Sequence, residues 1–244
     1  MRRPTILVDQ YRKAATIPAG ENAYRGLRIH ALPGLHDFVG ARAVQYFAPG
    51  ASVLDLAAGS GAMCQRLHDL GMHPEAVDYV AENFKAESFP LTQADLNEDL
   101  KPQLVGRFDG LVASEIIEHL ENPRHFARQC FRALRAGGRM VLTTPNLENP
   151  GSMAEFVRSG EFLWFSDRDY TTQGHITPLT QSQIRKAFEE AGFGLLWAGS
   201  FGKGASRSAG SPLLKILARC LSAASRIPAA RAGEIFVAVL ERPA

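Results

Sequence analysis

Val53-Leu54-Asp55-Leu56-Ala57-Ala58-Gly59-Ser60-Gly61 runs from an apolar segment into a pair of closely spaced glycines. Residues 53–56 have the composition of a short buried strand, and Gly59-Ser60-Gly61 makes a tight turn. From Met63 the spacing becomes helical until Gly71 stops it. Strand, glycine turn and helix in that order open a doubly wound α/β sheet, whose ligands bind at the carboxyl ends of the strands. At such a turn Gly59 and Gly61 let backbone approach a ligand with no Cβ in the way.

Working outward, residues 1–34 have mixed polarity and little period, and are expected to form an N-terminal arm or lid. Leu35, Phe38, Val39, Ala43, Tyr46 and Phe47 give residues 35–48 one apolar helical face before Pro49-Gly50. Downstream, strands are expected at Ala76-Val77, 91–94, 108–113 and 140–143. Asn122-Pro123 starts a helix whose stripe is Phe126, Cys130 and Leu134, with Gly137-Gly138 as its stop. Residues 147–179 have no clear period and are rich in aromatics and glycine, which predicts an inserted cap rather than a bare loop. Thr180 and Gln183 form a capping box ahead of a helix carrying Ile184, Phe188 and Ala191. Residues 193–197 and 234–240 read as the last strands, with an amphipathic insertion over 203–232 between them. Alternating strands and helices mean a parallel sheet covered on both faces. The final pair has no good crossover helix, which lets 234–240 enter antiparallel.

Composition narrows the function. With 27 Lys+Arg against 25 Asp+Glu the net charge is +2, well short of the basic excess of a nucleic-acid coat, so DNA is excluded and RNA disfavoured as a partner. Cys64, Cys130 and Cys220 are odd in number and widely spaced, with no CxxC pair, so they are expected as buried, reduced thiols of a cytoplasmic protein. The basic start Met1-Arg2-Arg3-Pro4 leads into no apolar run of signal-peptide length, and no run of ~18 apolar residues marks a membrane span.

The chemistry starts from the acidic residues that follow the turn. Asp78 ends the second strand, where a carboxylate can accept two hydrogen bonds from a ribose diol. Asp95-Leu96 ends the third, where a carboxylate can accept from an adenine amino group. A glycine turn alone also fits a plain structural turn. The dinucleotide pattern G-x-G-x-x-G lacks its third glycine here, since Cys64 stands in its place. That favours SAM (S-adenosylmethionine), which has no pyrophosphate to seat, over NAD.

Residues 53–61 resemble motif I of class I SAM-dependent methyltransferases, with Ala57-Ala58 where many members have Gly-Cys. Phe-Asp-Gly-Leu-Val-Ala-Ser-Glu-Ile-Ile-Glu-His-Leu-Glu-Asn-Pro at 108–123 resembles the strand-four motif. Leu-Arg-Ala-Gly-Gly-Arg-Met-Val-Leu-Thr-Thr-Pro-Asn at 134–146 is similar to the motif leading into strand five. The resemblance covers roughly residues 35–200. It implies a Rossmann-like α/β fold: a seven-stranded, mainly parallel sheet with helices on both faces and an antiparallel last strand. It also implies SAM as methyl donor. Cofactor contacts then fall on Asp55, Gly59, Ser60, Gly61, Asp78, Tyr79, Asp95 and Leu96, with Ser114 near the methionine moiety.

Within that class the chain resembles ubiquinone-pathway O-methyltransferases and a bacterial group linked to glycan or secondary-metabolite tailoring. The shared element is Glu115-Ile116-Ile117-Glu118-His119. On a turn or short helix, positions 115, 118 and 119 share a face and could bind a divalent metal. The small-RNA 2′-O-methyltransferases resemble this element too, and His175 in Gly174-His175-Ile176-Thr177-Pro178 matches their further histidine. A metal there lowers the pKa of an acceptor hydroxyl. Without one, His119 or His175 serves as general base, which makes Glu115, His119 and His175 the catalytic candidates. The other reading is structural: Glu-His recurs at this place in metal-free members, the carboxylate orienting backbone and the imidazole packing under the cofactor.

Phe162, Trp164, Phe165 and Tyr170 line a substrate pocket or form the cap's own core. Asp167-Arg168-Asp169 reads as a solvated charge run. Residues 212–221 are apolar at 213, 216, 217, 220 and 221, with Lys215, Arg219, Arg226 and Arg231 nearby. Such a helix packs on its domain or makes a peripheral membrane contact through 212–223. Arg25 or Arg28 in the arm reaches for the cofactor carboxylate, whereas His30 and His36 have no partner spacing. The expected activity is direct methyl displacement onto oxygen of a small-molecule, glycan or lipid-linked acceptor. The rivals are an NAD-type dehydrogenase, a non-catalytic binding module of the same fold and an RNA 2′-O-methyltransferase.

Overall fold

The structure, a computed structural model, describes residues 22–203 and 211–244. A short hairpin, β1 (Ala23–Tyr24) and β2 (Leu27–Arg28), precedes helix α1 (Leu35–Tyr46). Five parallel strands follow: β3 (Ser52–Leu56), β4 (His73–Asp78), β5 (Leu91–Gln93), β6 (Phe108–Ser114) and β7 (Leu134–Pro145). Helix α2 (Ala62–Asp69) links β3 to β4, and α3 (Pro123–Ala133) leads into β7. After β7 come α4 (Pro150–Ser159), α5 (Asp167–Gln173) and α6 (Gln181–Glu190). Strand β8 (Gly194–Phe201), helix α7 (Pro212–Ala224) and strand β9 (Ile235–Glu241) complete the described elements.

The sheet order is β5-β4-β3-β6-β7-β9-β8. Strand β9 inserts between β7 and β8 and runs antiparallel to both. This is the seven-stranded, mainly parallel sheet with a reversed last strand that the sequence implied. The order reverses between β3 and β6, so the crevice for a ligand opens at the carboxyl ends of those two strands.

Strand alternation builds two cores. Leu54, Leu111, Met140, Leu142 and Leu240 face one layer with Phe126 of α3 and Ile184 and Phe188 of α6. Val53, Val112, Val141, Val237 and Val239 face the other with Leu35 and Val39 of α1 and Met63 and Leu67 of α2. Burial on both faces explains why these strands read as continuous apolar runs.

Several sequence expectations need correction. Helix α3 stops at Ala133, where the Leu134 N–H reaches the Cys130 carbonyl, four residues before the glycine pair. Gly137-Gly138 lies inside β7, where the pairing slips between Phe108 and Gly110 and the chain bulges. The aperiodic 147–179 stretch contains two capped helices. Asn149 accepts the Gly151 and Ser152 N–H groups at α4, and Ser166 with Asp169 forms a capping box at α5, so Asp169 is not merely a solvated charge. Cys64 and Cys130 are buried as expected, but Cys220 is exposed. On α7 the packed residues are Leu214 and Ala218 with Leu217 and Leu221, whereas Leu213 and Ile216 face outward. Most of the N-terminal arm and residues 204–210 of the amphipathic insertion lie outside the described residues. Among the described residues no helix is long and apolar enough to cross a membrane.

Candidate active site

The crevice is built where β3 gives way to its glycine turn. Ala57 has φ +64 and Glu115, just past β6, has φ +54. A non-glycine residue in that region costs roughly 1–2 kcal/mol. Two such residues at the ends of adjacent central strands mark this edge as a place where strain is held. The Gly59 N–H donates to Asp78 Oδ2 at 2.7 Å and the Val80 N–H to Oδ1 at 2.8 Å. These bonds fix the carboxylate against the turn and leave lone pairs for further donors. Burial raises the Asp78 carboxyl above its ordinary range, with the backbone N–H groups opposing it. Asp55 is buried deeper, takes the Cys64 thiol at 3.4 Å, and is pushed up to about 7 by burial.

The two glycines serve different ends. A Cβ on Gly59 would meet only His30 Cδ2, at 3.9 Å. A Cβ on Gly61 would lie 2.4 Å from Ala86 Cβ and 2.8 Å from Phe84 Cε2. Gly61 therefore makes room for the 84–86 segment, which is tied down by the Lys85 N–H to the Ser60 carbonyl. Of the two glycines, Gly59 alone has open space beside its Cα.

Arg28, one of the two arm arginines expected near the cofactor, and two histidines that sequence spacing missed complete this cleft. Arg28, His30 and His36 line it with Asp55, Gly59 and Ser114. The hairpin is held there by the Ser60 hydroxyl, which donates to the Arg28 carbonyl at 2.6 Å. His36 is pushed down to about 4 by burial first and the Arg66 charge second, and its Nδ1 is buried without a hydrogen-bond partner among the described residues. Arg25 points elsewhere, pairing with Asp69 at 2.6 Å. Farther along the same edge, where the Ala94 N–H donates to the Asp78 carbonyl at 3.0 Å, Asp95 and Leu96 line a small cavity with Leu56 and Phe126. There Asp95 Oδ1 accepts the Asn97 N–H at 2.8 Å. Tyr79 is exposed, and its carbonyl accepts from Gln93 at 3.0 Å.

A second constellation begins one residue beyond the cleft. Ser114 shares a hydrogen bond with Thr143 at 3.2 Å, and the Thr143 hydroxyl donates to Glu115 Oε1 at 2.8 Å. Burial pushes the Glu115 carboxyl up to about 7. A 3₁₀ turn, Ile117–His119, follows. Glu118 is wholly buried. Its Oε2 accepts from Thr144 at 2.9 Å, and its Oε1 has no hydrogen-bond partner among the described residues. Burial first, and the neighbouring Glu115 second, raise its carboxyl far above the ordinary range.

Residues 174–177 supply the last member. The Ile176 and Thr177 N–H groups donate to the Glu118 carbonyl at 3.0 and 2.9 Å, and the Thr177 hydroxyl donates to the Leu120 carbonyl. His175 is thereby set against His119, ring centroids 4.8 Å apart and edge to face. Each histidine holds Nδ1 against a carbonyl: His119 against Gly174 at 3.1 Å, His175 against Trp164 at 2.6 Å. A carbonyl only accepts, so the Trp164 carbonyl favours the proton on Nδ1 of His175, while the His119 ring meets two carbonyls, those of Gly174 and Glu115. Burial first, and the neighbouring His175 second, keep His119 neutral at about 3, while burial lowers His175 against the Trp164 carbonyl and the Asp169 charge. Ligand atoms of Glu118, His119 and His175 all lie within 4.8 Å of one another. Glu115 is outside that group. Its left-handed backbone breaks the helical face that would have placed 115, 118 and 119 together, and its carboxylate turns to Thr143.

Of the cap aromatics, Phe162 stacks on Phe156 with centroids 4.4 Å apart, Phe165 lies 5.5 Å from the His175 ring, and Tyr170 is exposed. Only Trp164 and Phe165 thus adjoin the histidine pair.

Comparison with known proteins agrees with this architecture. Residues 27–196 match the family described as Methyltransferase domain. A ubiquinone biosynthesis O-methyltransferase of Xanthomonas campestris is 31% identical over 144 residues, 55% of this chain and 59% of that protein. The corresponding protein of Psychrobacter arcticus is 30% identical over 155 residues, 59% of each chain. The chain thus spans under two thirds of the length of these relatives. Among solved structures, a SAM-dependent methyltransferase from Archaeoglobus fulgidus has the same fold, with TM-score 0.58 and 18% identity over 84% of this chain and 94% of that one. One from Mesorhizobium loti gives TM-score 0.57 at 16% identity over 87% and 100%. The glycine turn with its pinned Asp78, the reversed β9 and the matched span together place the chain in the methyltransferase-domain family.

Proposed function

We propose that this chain is a SAM-dependent methyltransferase acting on a hydroxyl oxygen of a small-molecule acceptor. The observation that carries the reading is continuity along one sheet edge. Ser114 lines the cofactor cleft, and Glu115, next in the chain, begins the segment that holds Glu118 and His119 beside His175. The O-methyltransferase names of the relatives support oxygen as the accepting atom.

When bound, SAM supplies an electrophilic methyl group on a sulfonium sulfur. The chain's own residues bind and align. Asp78, already oriented by Gly59 and Val80, accepts from a ribose diol. Arg28 offers a fixed positive charge to the amino-acid carboxylate. Asp95 and Leu96 border the place for the base. Most of the rate comes from holding the acceptor in line with the methyl group. Proton removal is the second contribution. His175, with its proton fixed on Nδ1, presents Nε2 as an acceptor near neutral pH.

The same three side chains fit a divalent cation. A fully buried carboxylate oxygen with no hydrogen-bond partner among the described residues, beside two neutral imidazoles each oriented by a backbone carbonyl at Nδ1, supports a ligand set with outer-shell contacts. Glu118, His119 and His175 would hold the ion, and it would supply Lewis acidity to the acceptor hydroxyl.

A methyl-transfer screen tests the reading, with phenolic, sugar and RNA acceptors offered to the full chain with and without chelator. Transfer to a hydroxyl-bearing small molecule supports it, and transfer to RNA alone overturns the acceptor class. Loss of activity with chelator, restored by a divalent metal, supports the cation. Unchanged activity leaves His175 acting as a base.

A further inference from the structure

Between Glu190 and Glu234 there is no acidic residue, while Lys203, Arg207, Lys215, Arg219, Arg226 and Arg231 all fall there. All 25 acidic residues of the chain lie elsewhere, with 21 of its 27 basic ones. Along the sequence, this stretch thus carries an excess of positive charge in a chain that is otherwise net negative. In the middle of the stretch stands α7, three and a half turns long.

The two faces of α7 have separate jobs. Leu214 and Ala218, with Leu217 and Leu221, pack on Ala154 of α4 and anchor the helix to the domain. Leu213, Ile216 and Cys220 recur at the i, i+3, i+7 spacing of a second stripe, on the outer side. Leu213 is 77% exposed, Ile216 is 55% exposed, and Cys220 is exposed too. Lys215 and Arg219, four apart, flank that stripe and are also exposed. On α4, Phe156 and Val157 add exposed apolar surface.

We propose that the outer face of α7 docks on an anionic lipid surface, with Leu213 and Ile216 entering the headgroup boundary and Lys215 and Arg219 meeting the lipid charges. An apolar stripe edged by basic residues is what interfacial helices present. A protein partner fits less well, because lysine is depleted at protein interfaces and an exposed basic row beside the apolar stripe would need acidic partners. Anchoring through Leu214 and Ala218 means the helix need not fold on arrival, so the ordering penalty of a free peptide is absent.

The test is co-sedimentation of the full chain with phosphatidylcholine vesicles, with and without phosphatidylglycerol, at low and high salt. Binding to the anionic vesicles is expected, falling steeply with salt. Each basic residue near such a surface contributes about 1 kcal/mol, roughly fivefold in partitioning, so Lys215→Gln with Arg219→Gln lowers binding about 30-fold. Leu213→Glu with Ile216→Glu abolishes it, and because both side chains are exposed the melting temperature stays unchanged. Absence of binding by the native chain, or equal binding by both double variants, overturns the proposal. So does a concentration-dependent dimer that Leu213→Glu with Ile216→Glu dissolves, with no vesicle binding, since the face then belongs to a second copy.

Discussion

Replacing Gly61 by alanine tests the division of labour at the turn. Two penalties apply. Gly61 has φ +87, and a side chain in that region costs roughly 1–2 kcal/mol. Its Cβ would stand 2.4 Å from Ala86 Cβ and 2.8 Å from a Phe84 ring carbon, an overlap of the kind that costs ~1–3 kcal/mol in a packed interior. Together these give about 3 kcal/mol, which in a domain of this size is a loss of roughly 6–12 °C in melting temperature. Gly59→Ala carries only the conformational penalty, about 1 kcal/mol or roughly 2–4 °C, since its nearest neighbour would be 3.9 Å away. Thermal denaturation of both variants without ligand gives the comparison. Adding Ala86→Gly to Gly61→Ala should recover part of the loss, because the two sites share one contact. If Gly61→Ala and Gly59→Ala melt within about 2 °C of each other, or Ala86→Gly recovers nothing, the packing role of Gly61 is wrong.

Other expectations follow from the site. If His175 is the proposed base, His175→Ala should slow methyl transfer at least ~100-fold while S-adenosylhomocysteine affinity stays within about threefold, because a base acts on the acceptor and not on the cofactor; isothermal titration beside initial rates separates the two. Arg28→Met removes a charge-assisted contact of about 1.5–3 kcal/mol and should weaken S-adenosylhomocysteine binding at least tenfold, with native affinity as the contrary result. Burial holds the Asp55 carboxyl up at about 7. The folded chain therefore keeps a proton that the unfolded chain releases near pH 4, and stability falls as pH rises between those values. Asp55→Asn should gain on the native chain in melting temperature from pH 5 to pH 8, and a difference flat with pH would remove that argument.

The strand-and-helix alternation was legible because each central strand is buried on both faces and each helix starts or stops on a recognisable residue, as at Asn122-Pro123 and Thr180. Asp78 was legible because an acidic residue ending the second strand has one obvious place to point, and the structure ties it to the Gly59 amide. Other features depend on contacts that spacing cannot carry. Gly137-Gly138 looked like a helix stop, yet the chain had already turned at Leu134 and used the glycines in a bulge. Helix α7 has apolar residues on two stripes, and only the packing of Ala154 decides that Leu214 and Ala218 are the inner one. The joining of Glu118 and His119 to His175 rests on Ile176 and Thr177 binding the Glu118 carbonyl across more than 50 residues of chain, a tertiary contact with no local signature. Arg28 was anticipated as an arm residue near the cofactor, and the Ser60 hydroxyl pins it over the turn, whereas His30 and His36 enter the cleft through tertiary packing that no spacing announces.

Calorimetric titration of S-adenosylhomocysteine into the native chain and into Asp78→Ala decides whether the cleft at Gly59 is a SAM site. The cleft at Gly59, closed on one side by the pinned carboxylate, should bind one equivalent, and loss of Asp78 should weaken binding at least tenfold as the hydrogen bonds to a charged acceptor disappear. NAD should give no heat. Binding of NAD with no response to S-adenosylhomocysteine, or equal affinity in the Asp78→Ala variant, would contradict the account.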